Sequence, residues 1–179
     1  MAWITKLCDI SKERIKVNQI LHHSVRLNCD PHKAFEMFTV NKLVEPWLVH
    51  PYGGSHTEIE PKVGGRYEIF WDKNSRENNS TLGCKITGIE IGKFLSFEWK
   101  GPREFAQFMN SADPLTHMVV FFIPVGTEAN PSTEVHLVHS GWGSSKEWDE
   151  AREWFRRSWS STFEHLKKLV NESKLTVSA

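Results

Sequence analysis

The residues with the widest chemical repertoire in this sequence are its nine histidines, because imidazole binds metals and transfers protons near neutral pH. Their spacing tests whether any two act together. His22 and His23 are adjacent in a predicted strand, so their side chains point to opposite faces of it. The same argument separates His136 from His139, which are three positions apart in another predicted strand. Neither pair is predicted to chelate a metal ion by itself.

The remaining candidates for a metal site are two histidines beside a turn and three cysteines. His50 and His56 flank the sequence HPYGGSH, but no carboxylate or third ligand has a useful spacing from them. An odd number of widely spaced cysteines favours buried thiols over a disulfide framework or a Cys-x-x-Cys site. These cysteines are Cys8, Cys29 and Cys84. The sequence therefore predicts no metal and no cofactor.

His139 is the one titratable residue that we predict on the inner face of a sheet, because it shares the parity of Val135 and Leu137. It is either a core histidine bonded to backbone or water, or a group that orients a ligand or transfers a proton. Cys84 shares the parity of Ile86 and is either an inert buried thiol or a reactive one. The sequence has no phosphate-binding glycine loop and no nucleophile elbow, so no catalytic residue is assigned.

The charge balance argues against two classes of partner. The 179 residues include 22 Lys and Arg and 22 Asp and Glu, so the positive field that attracts nucleic acid or anionic membranes is absent. The longest apolar run, residues 118–125, is much shorter than the ~20 residues of a membrane span, and the first residues lack the order of a signal peptide. We expect a cytoplasmic protein.

One domain accounts for most of the chain. A chain of this length buries roughly 70% of the surface that its unfolded form exposes, so its core closes without a metal or disulfides. We place this domain at residues 17–173, after an extension over residues 1–16 that has no apolar period and before a tail over residues 174–179.

The elements that must position any site begin with a strand over residues 17–27. Asp30 and Pro31 then supply the N-cap and first-turn proline of a short helix, and a second short helix from Asn41 ends before Pro46. Short runs rich in Ile, Val, Phe and Trp follow, separated by Gly, Pro and Asn clusters, which predicts about six antiparallel strands. They span residues 55–60, 65–72, 81–91, 94–99, 116–125 and 133–140.

Two further segments complete the pattern. Residues 101–115 break the strand rhythm, and loops of that length are often lids. Residues 145–173 form a long amphipathic helix whose apolar positions recur every three or four residues. This apolar stripe consists of Trp148, Ala151, Phe155, Trp159, Thr162, Leu166 and Leu169.

A sheet with one apolar face must bury that face, and the long helix is the only cover that the chain offers. We therefore predict an α+β fold in which a curved antiparallel sheet of about seven strands wraps around the C-terminal helix and leaves a space between them. The candidate lining residues of this space are Trp47, Tyr67, Ile69, Trp71, Cys84, Phe97, Trp99, Phe121, Leu137, His139, Trp148, Phe155 and Trp159.

The aromatic residues on these two surfaces either fill a core or line a ligand cavity. The eight Trp and eleven Phe greatly outnumber the two Tyr. Each buried indole N–H needs an acceptor, a requirement that a dry core of Leu and Val would avoid. A cavity that contains water or a ligand acceptor would meet it.

Several of these features together resemble the branch of the START-related, Bet v 1-like (SRPBCC) superfamily that is similar to the activator of heat-shock-protein-90 ATPase. The resemblance covers residues 20 to about 170 and implies the helix-grip fold. Its carriers are Asp30-Pro31 before Phe35, Leu43 and Trp47, the run Val63-Gly64-Gly65-Arg66-Tyr67, Gly83 before Ile86, and the sequence TEVHLVHSGW before the long helix.

The resemblance implies three functions. The first is a non-catalytic or weakly catalytic module that binds an apolar or aromatic small molecule, as a monomer or homodimer. The second is a chaperone-associated interaction domain, although this chain resembles only the C-terminal type of domain in the eukaryotic activators. The third is a small cyclase or hydrolase of the same superfamily.

Overall fold

The computed structural model describes residues 20–48, 56–72, 74 and 76–172, which contain seven strands and four helices. The strands are β1 (Leu21–Leu27), β2 (His56–Ile59), β3 (Tyr67–Phe70), β4 (Ile86–Glu90), β5 (Phe94–Trp99), β6 (Thr116–Pro124) and β7 (Thr133–Ser140). The helices are α1 (Pro31–Thr39), α2 (Asn41–Val44), α3 (Ala106–Met109) and α4 (Lys146–Glu172). The predicted extension over residues 1–16 and tail over residues 174–179 lie outside the described residues.

The strands form two antiparallel groups. Five of them make one sheet in the order β1-β7-β6-β5-β4, and β2 pairs with β3 in a separate two-stranded sheet. Isolated bridges from Arg66 to Lys85 and from Phe70 to Ser80 continue the pairing beyond β3. The predicted α+β helix-grip arrangement is confirmed, with its strands divided between the two sheets.

The short helices form where the sequence places them. The Asp30 carboxylate accepts hydrogen bonds from the backbone N–H groups of His32 (2.9 Å) and Lys33 (3.0 Å). Asp30 has an extended backbone and is the N-cap residue of α1. Pro31 occupies the first turn, where a missing N–H leaves no bond unmade. The second helix, α2, ends at Val44, before the proline at position 46.

Helix α4 covers the inner face of the five-stranded sheet with its apolar stripe. Ala151, Phe155 and Trp159 are buried along it, as the spacing of three or four residues predicts. Phe163, which the predicted stripe omitted, is also buried and contacts Phe38 of α1, with ring centroids 6.4 Å apart. One helix therefore joins the short helices to the sheet.

The alternation of buried and exposed residues holds in most strands but fails in β3. Alternation predicts that Glu68 lies opposite Tyr67 and Ile69 on a solvent-facing side, but Glu68 and the neighbouring Phe70 are both buried. The Glu68 carboxylate accepts a hydrogen bond from the Gly83 backbone N–H at 2.8 Å, and the Arg76 guanidinium lies 4.0 Å from the centre of the Phe70 ring. The segment that follows β3 therefore covers its second face, which the period of two cannot indicate.

Residues 101–115 are more ordered than their sequence pattern predicts. They contain α3, and Met109 at its end is fully buried. Gly101 permits this packing, because a Cβ atom there would lie only 2.7 Å from the Met109 sulfur. Phe105, just before α3, contacts Trp154 of α4 with ring centroids 5.6 Å apart. The segment thus packs against the long helix.

Candidate ligand-binding site

A small cavity lies between the middle of α4 and the sheet, and aromatic side chains form most of its wall. Its volume is about 30 Å³, which is room for about two water molecules. We call it the aromatic cavity, and its lining residues are Leu48, Trp71, Trp99, Trp154, Phe155, Ser158, Trp159 and Thr162.

Two periodicities bring this lining together. Alternation along β5 puts Trp99 on the same inner face as Phe97. On α4, Phe155 and Trp159 are four residues apart and therefore share one helical face. The ring of Trp99 consequently lies 5.5 Å from that of Trp159 and 5.8 Å from that of Trp71, centroid to centroid.

Two indole N–H groups at the aromatic cavity lack a hydrogen-bond acceptor among the described residues. The Nε1 atoms of Trp99 and Trp159 are both buried, and neither has a partner. An unpaired buried donor costs about 1–3 kcal/mol, because it has lost its bond to water and gained none. Both indoles belong to the lining of the aromatic cavity.

Other buried indoles in the same molecule are satisfied. The Trp47 N–H donates to the Met37 carbonyl oxygen at 2.8 Å, and the Trp142 N–H donates to the His139 carbonyl oxygen at 3.0 Å. The unpaired state of Trp99 and Trp159 is therefore a local property of the cavity and does not extend to every tryptophan of this core.

Among the described residues that line the aromatic cavity there are hydrogen-bonding groups but no ionisable group. Its side chains are aromatic or aliphatic apart from the hydroxyls of Ser158 and Thr162. An anion that entered this space would lose its hydration and find no positive side chain in the described lining to replace it. The arrangement favours an uncharged occupant.

His139 lies deeper in the core, beside the cavity but not in its described lining. Its ring is fully buried between Trp142 and Phe155, with centroids 4.1 Å and 5.2 Å away. Neither ring nitrogen has a hydrogen-bond partner in the described part of the chain. Burial holds the pKa of His139 well below its usual value, and the positive charges of His23 and His117 add to this effect. The ring is therefore neutral near pH 7.

Two other buried titratable groups are held in their protonated forms. Burial raises the pKa of the Cys84 thiol to about 12, so the thiolate needed for nucleophilic chemistry is scarce at neutral pH. Burial also raises the pKa of Tyr67, whose hydroxyl donates to the Phe38 carbonyl oxygen at 3.1 Å. The Tyr67 ring stacks on Phe97 with centroids 3.8 Å apart. Both residues are built into the core.

The histidines pair across strands in a way that their spacing along the chain does not indicate. His22 Nε2 lies 2.9 Å from His136 Nδ1, because β1 and β7 are antiparallel neighbours. Among residues 20–48, 56–72, 74 and 76–172, no group of three or more His, Cys, Asp or Glu is arranged to hold a metal ion. His50 lies outside the described residues. The same residues include no helix with the length and apolar composition to span a membrane.

A wider apolar groove of about 300 Å³ lies between α1, α2 and the last turns of α4. Its lining includes Met37, Leu43 and Val170. None of the unpartnered buried polar atoms found in the described residues belongs to this lining. The groove is larger than the aromatic cavity, but it has no unmet hydrogen bond that would select a particular ligand.

Comparison with known proteins identifies the family. The family model described as "Activator of Hsp90 ATPase homolog 1-like protein" matches residues 28–171. The chain belongs to this family. Among curated proteins, none matches this family member.

Solved structures show the same fold at low sequence identity. A Rhodobacter sphaeroides protein has a TM-score of 0.64 at 15% identity and covers 86% of this family member and 93% of its own chain. An HSP90 activator from Plasmodium falciparum has a TM-score of 0.62 at 20% identity, with coverages of 86% and 96%. A Mesorhizobium loti protein has a TM-score of 0.59 at 20% identity, with coverages of 86% and 97%.

Four of the thirteen predicted lining residues meet at the aromatic cavity of this family member: Trp71, Trp99, Phe155 and Trp159. Most of the others are buried in the surrounding core, and Trp148 is partly buried against Phe108, with ring centroids 5.0 Å apart. The buried core residues from the prediction are Trp47, Tyr67, Ile69, Cys84, Phe97, Leu137 and His139.

The prediction that Phe121 faces the interior is wrong by one position. Phe121 is 43% exposed, whereas Phe122 is buried. Register explains the difference, because Met118 pairs with the inward-facing Phe97, and positions 120 and 122 then share the inner face with it. Because positions 121 and 122 are both phenylalanine, residue type alone does not indicate which of the two side chains faces inward.

Four lining residues were missing from the predicted site: Leu48, Trp154, Ser158 and Thr162. The helical period placed Thr162 in the predicted apolar stripe but not in the list of lining residues, and it could have found Ser158, which lies three residues after Phe155. Trp154 is partly buried and next to Phe155, outside the predicted stripe. Its position depends on the contact with Phe105, which only the folded chain makes.

Proposed function

We propose that this chain is a non-catalytic or weakly catalytic module that binds an apolar or aromatic small molecule in the aromatic cavity. The observation that supports this most strongly is the pair of buried indole N–H groups, on Trp99 and Trp159, that have no acceptor among the described residues. A core selected only for packing would pair these donors or replace them with apolar side chains.

Ligand entry requires the aromatic cavity to enlarge, because about 30 Å³ is far smaller than an aromatic molecule. Trp154 and Phe105 are both partly buried and contact each other beside the cavity. Both residues lie outside the strands, so their separation does not disturb strand pairing. We infer that separation of this pair admits the ligand from the side of α4.

A panel of fatty acids, flavonoids and sterols tests the function. At least one compound is expected to change tryptophan emission in a saturable way, because it displaces water beside several indoles. The same compound should raise the melting temperature, since binding adds about 2.7 kcal/mol to stability when free ligand is a hundredfold above its Kd. Fluorescence titration and thermal denaturation measure the two effects.

Two variants separate the cavity from the protein surface. Trp159→Leu removes a lining ring and its donor and is expected to weaken the response. Arg157→Ala changes an exposed residue on the same helix and should leave the response intact. Binding in the aromatic cavity would be contradicted if no compound changed the fluorescence or the melting temperature. Equal effects of the two substitutions would also contradict it.

The family match favours a chaperone-associated role as the second candidate, since one structural relative is described as an HSP90 activator. This role predicts that the chain raises the ATPase rate of the chaperone in proportion to its concentration. The ligand-binding proposal predicts no increase, because binding in the cavity involves no contact with a chaperone. A steady-state ATPase assay distinguishes the two functions. A dose-dependent increase in the ATPase rate would favour the second function over the first.

A further inference from the structure

The aromatic cavity has two properties that together restrict the chemistry of its occupant. Two of its lining residues, Trp99 and Trp159, carry buried indole N–H groups without an acceptor in the described residues. Its described lining contains no ionisable side chain. The first property selects for an acceptor atom, and the second selects against a charge.

We propose that the ligand is an uncharged, planar, largely apolar molecule whose carbonyl-type oxygen accepts hydrogen bonds from Trp99 and Trp159; this rests on the proposed function. The two indole rings are 5.5 Å apart, centroid to centroid. A carbonyl oxygen has two lone pairs and can accept from two donors that converge on it. One such oxygen therefore has enough acceptor capacity for both unpaired groups.

Each of the two competing ligand classes, hydrocarbons and carboxylates, binds with an unfavourable contribution to the binding free energy. A hydrocarbon fills the space but leaves both indole donors unpaired. A carboxylate satisfies them, but it enters a lining without a cation and loses its hydration without replacement. A neutral carbonyl compound avoids both costs, and its flat ring packs against the faces and edges of Trp71, Trp99 and Trp159.

Water is the alternative partner for the two donors. The volume of about 30 Å³ holds about two water molecules, which can also accept hydrogen bonds. A ligand that displaces well-ordered water without replacing its hydrogen bonds loses affinity. An acceptor on the ligand is therefore required in either case, and matched ligands measure its contribution.

The test uses three bicyclic probes of similar shape: indane, 1-indanone and indane-1-carboxylate. Affinities are measured by isothermal titration calorimetry on the full chain and checked by thermal shift. We expect 1-indanone to bind at least about tenfold more tightly than either other probe, which corresponds to about 1.4 kcal/mol. The difference in affinity between 1-indanone and indane measures the contribution of the carbonyl oxygen. The difference between 1-indanone and the carboxylate measures the unfavourable effect of a negative charge.

Tryptophan-to-phenylalanine variants locate the effect, because they keep an aromatic ring and remove the N–H. Trp99→Phe and Trp159→Phe are each expected to reduce the preference for 1-indanone over indane by at least about threefold, or about 0.7 kcal/mol. Trp142→Phe is the matched control, since its indole N–H already has the His139 carbonyl as acceptor. This control should retain the full preference.

The outcomes separate this inference from the broader proposal. Equal affinity for the three probes, tighter binding of indane or the carboxylate, or no binding of 1-indanone overturns the proposed ligand class. An unchanged preference in both Trp99→Phe and Trp159→Phe overturns the assigned donors. The broader binding function fails only if the panel of fatty acids, flavonoids and sterols also gives no response.

Discussion

Replacement of Trp47 by alanine is expected to lower the free energy of unfolding by about 3–5 kcal/mol. Trp47 is 1% exposed and packs against Phe38, with ring centroids 4.9 Å apart. Its loss leaves a cavity beneath α1 and removes the hydrogen bond to the Met37 carbonyl. Urea unfolding followed by circular dichroism measures the change.

Two comparisons test the cause of this loss. Trp47→Phe keeps most of the packing, so it should cost much less than the alanine variant and isolate a hydrogen bond worth about 1 kcal/mol. Trp148→Ala removes a partly exposed ring at the start of α4 and should cost less than half as much as Trp47→Ala. Similar losses at the two alanine sites would show that Trp47 does not anchor the short helices.

Acidification is expected to destabilise the fold through His139. Burial keeps the pKa of this ring well below 6.5 in the folded state, so the unfolded chain binds the proton first as the pH falls. The contribution of the neutral ring is fully present above about pH 6.5 and is lost below it, with a slope of up to about 1.4 kcal/mol per pH unit for one proton. Urea unfolding at a series of pH values measures the slope.

The variant His139→Leu should flatten this dependence, because leucine fills the site without a titratable group. Some acid sensitivity will remain, since burial also lowers the pKa of His23 and His117. The control His165→Gln changes an exposed histidine on α4 and should leave the slope unchanged. A wild-type slope in His139→Leu would show that its protonation does not limit stability in acid.

Periodicity was most informative where an element has one buried face. The predicted bounds 94–99 and 133–140 agree with β5 and β7, because alternation in both strands is enforced by burial on one side. The same logic placed Trp99 on the inner face and grouped Phe155 with Trp159 on the helix. These three residues form part of the lining of the aromatic cavity.

Periodicity was uninformative where burial comes from a distant segment. Both faces of β3 are covered, and Phe105 packs on Trp154 across about fifty residues of sequence. His22 and His136 meet because β1 pairs with β7. Such contacts depend on strand order and register, which local patterns of hydrophobicity do not contain.

By itself, the sequence determined the order of the elements, the single apolar sheet face and the long helix that covers it, because these follow from local periodicity and turn residues. Only the tertiary structure decided which indoles find acceptors. Trp47 and Trp142 reach backbone carbonyls, whereas Trp99 and Trp159 do not reach an acceptor among the described residues. The reason is geometric: a hydrogen bond depends on ångström-scale distance and direction between groups that only folding brings together.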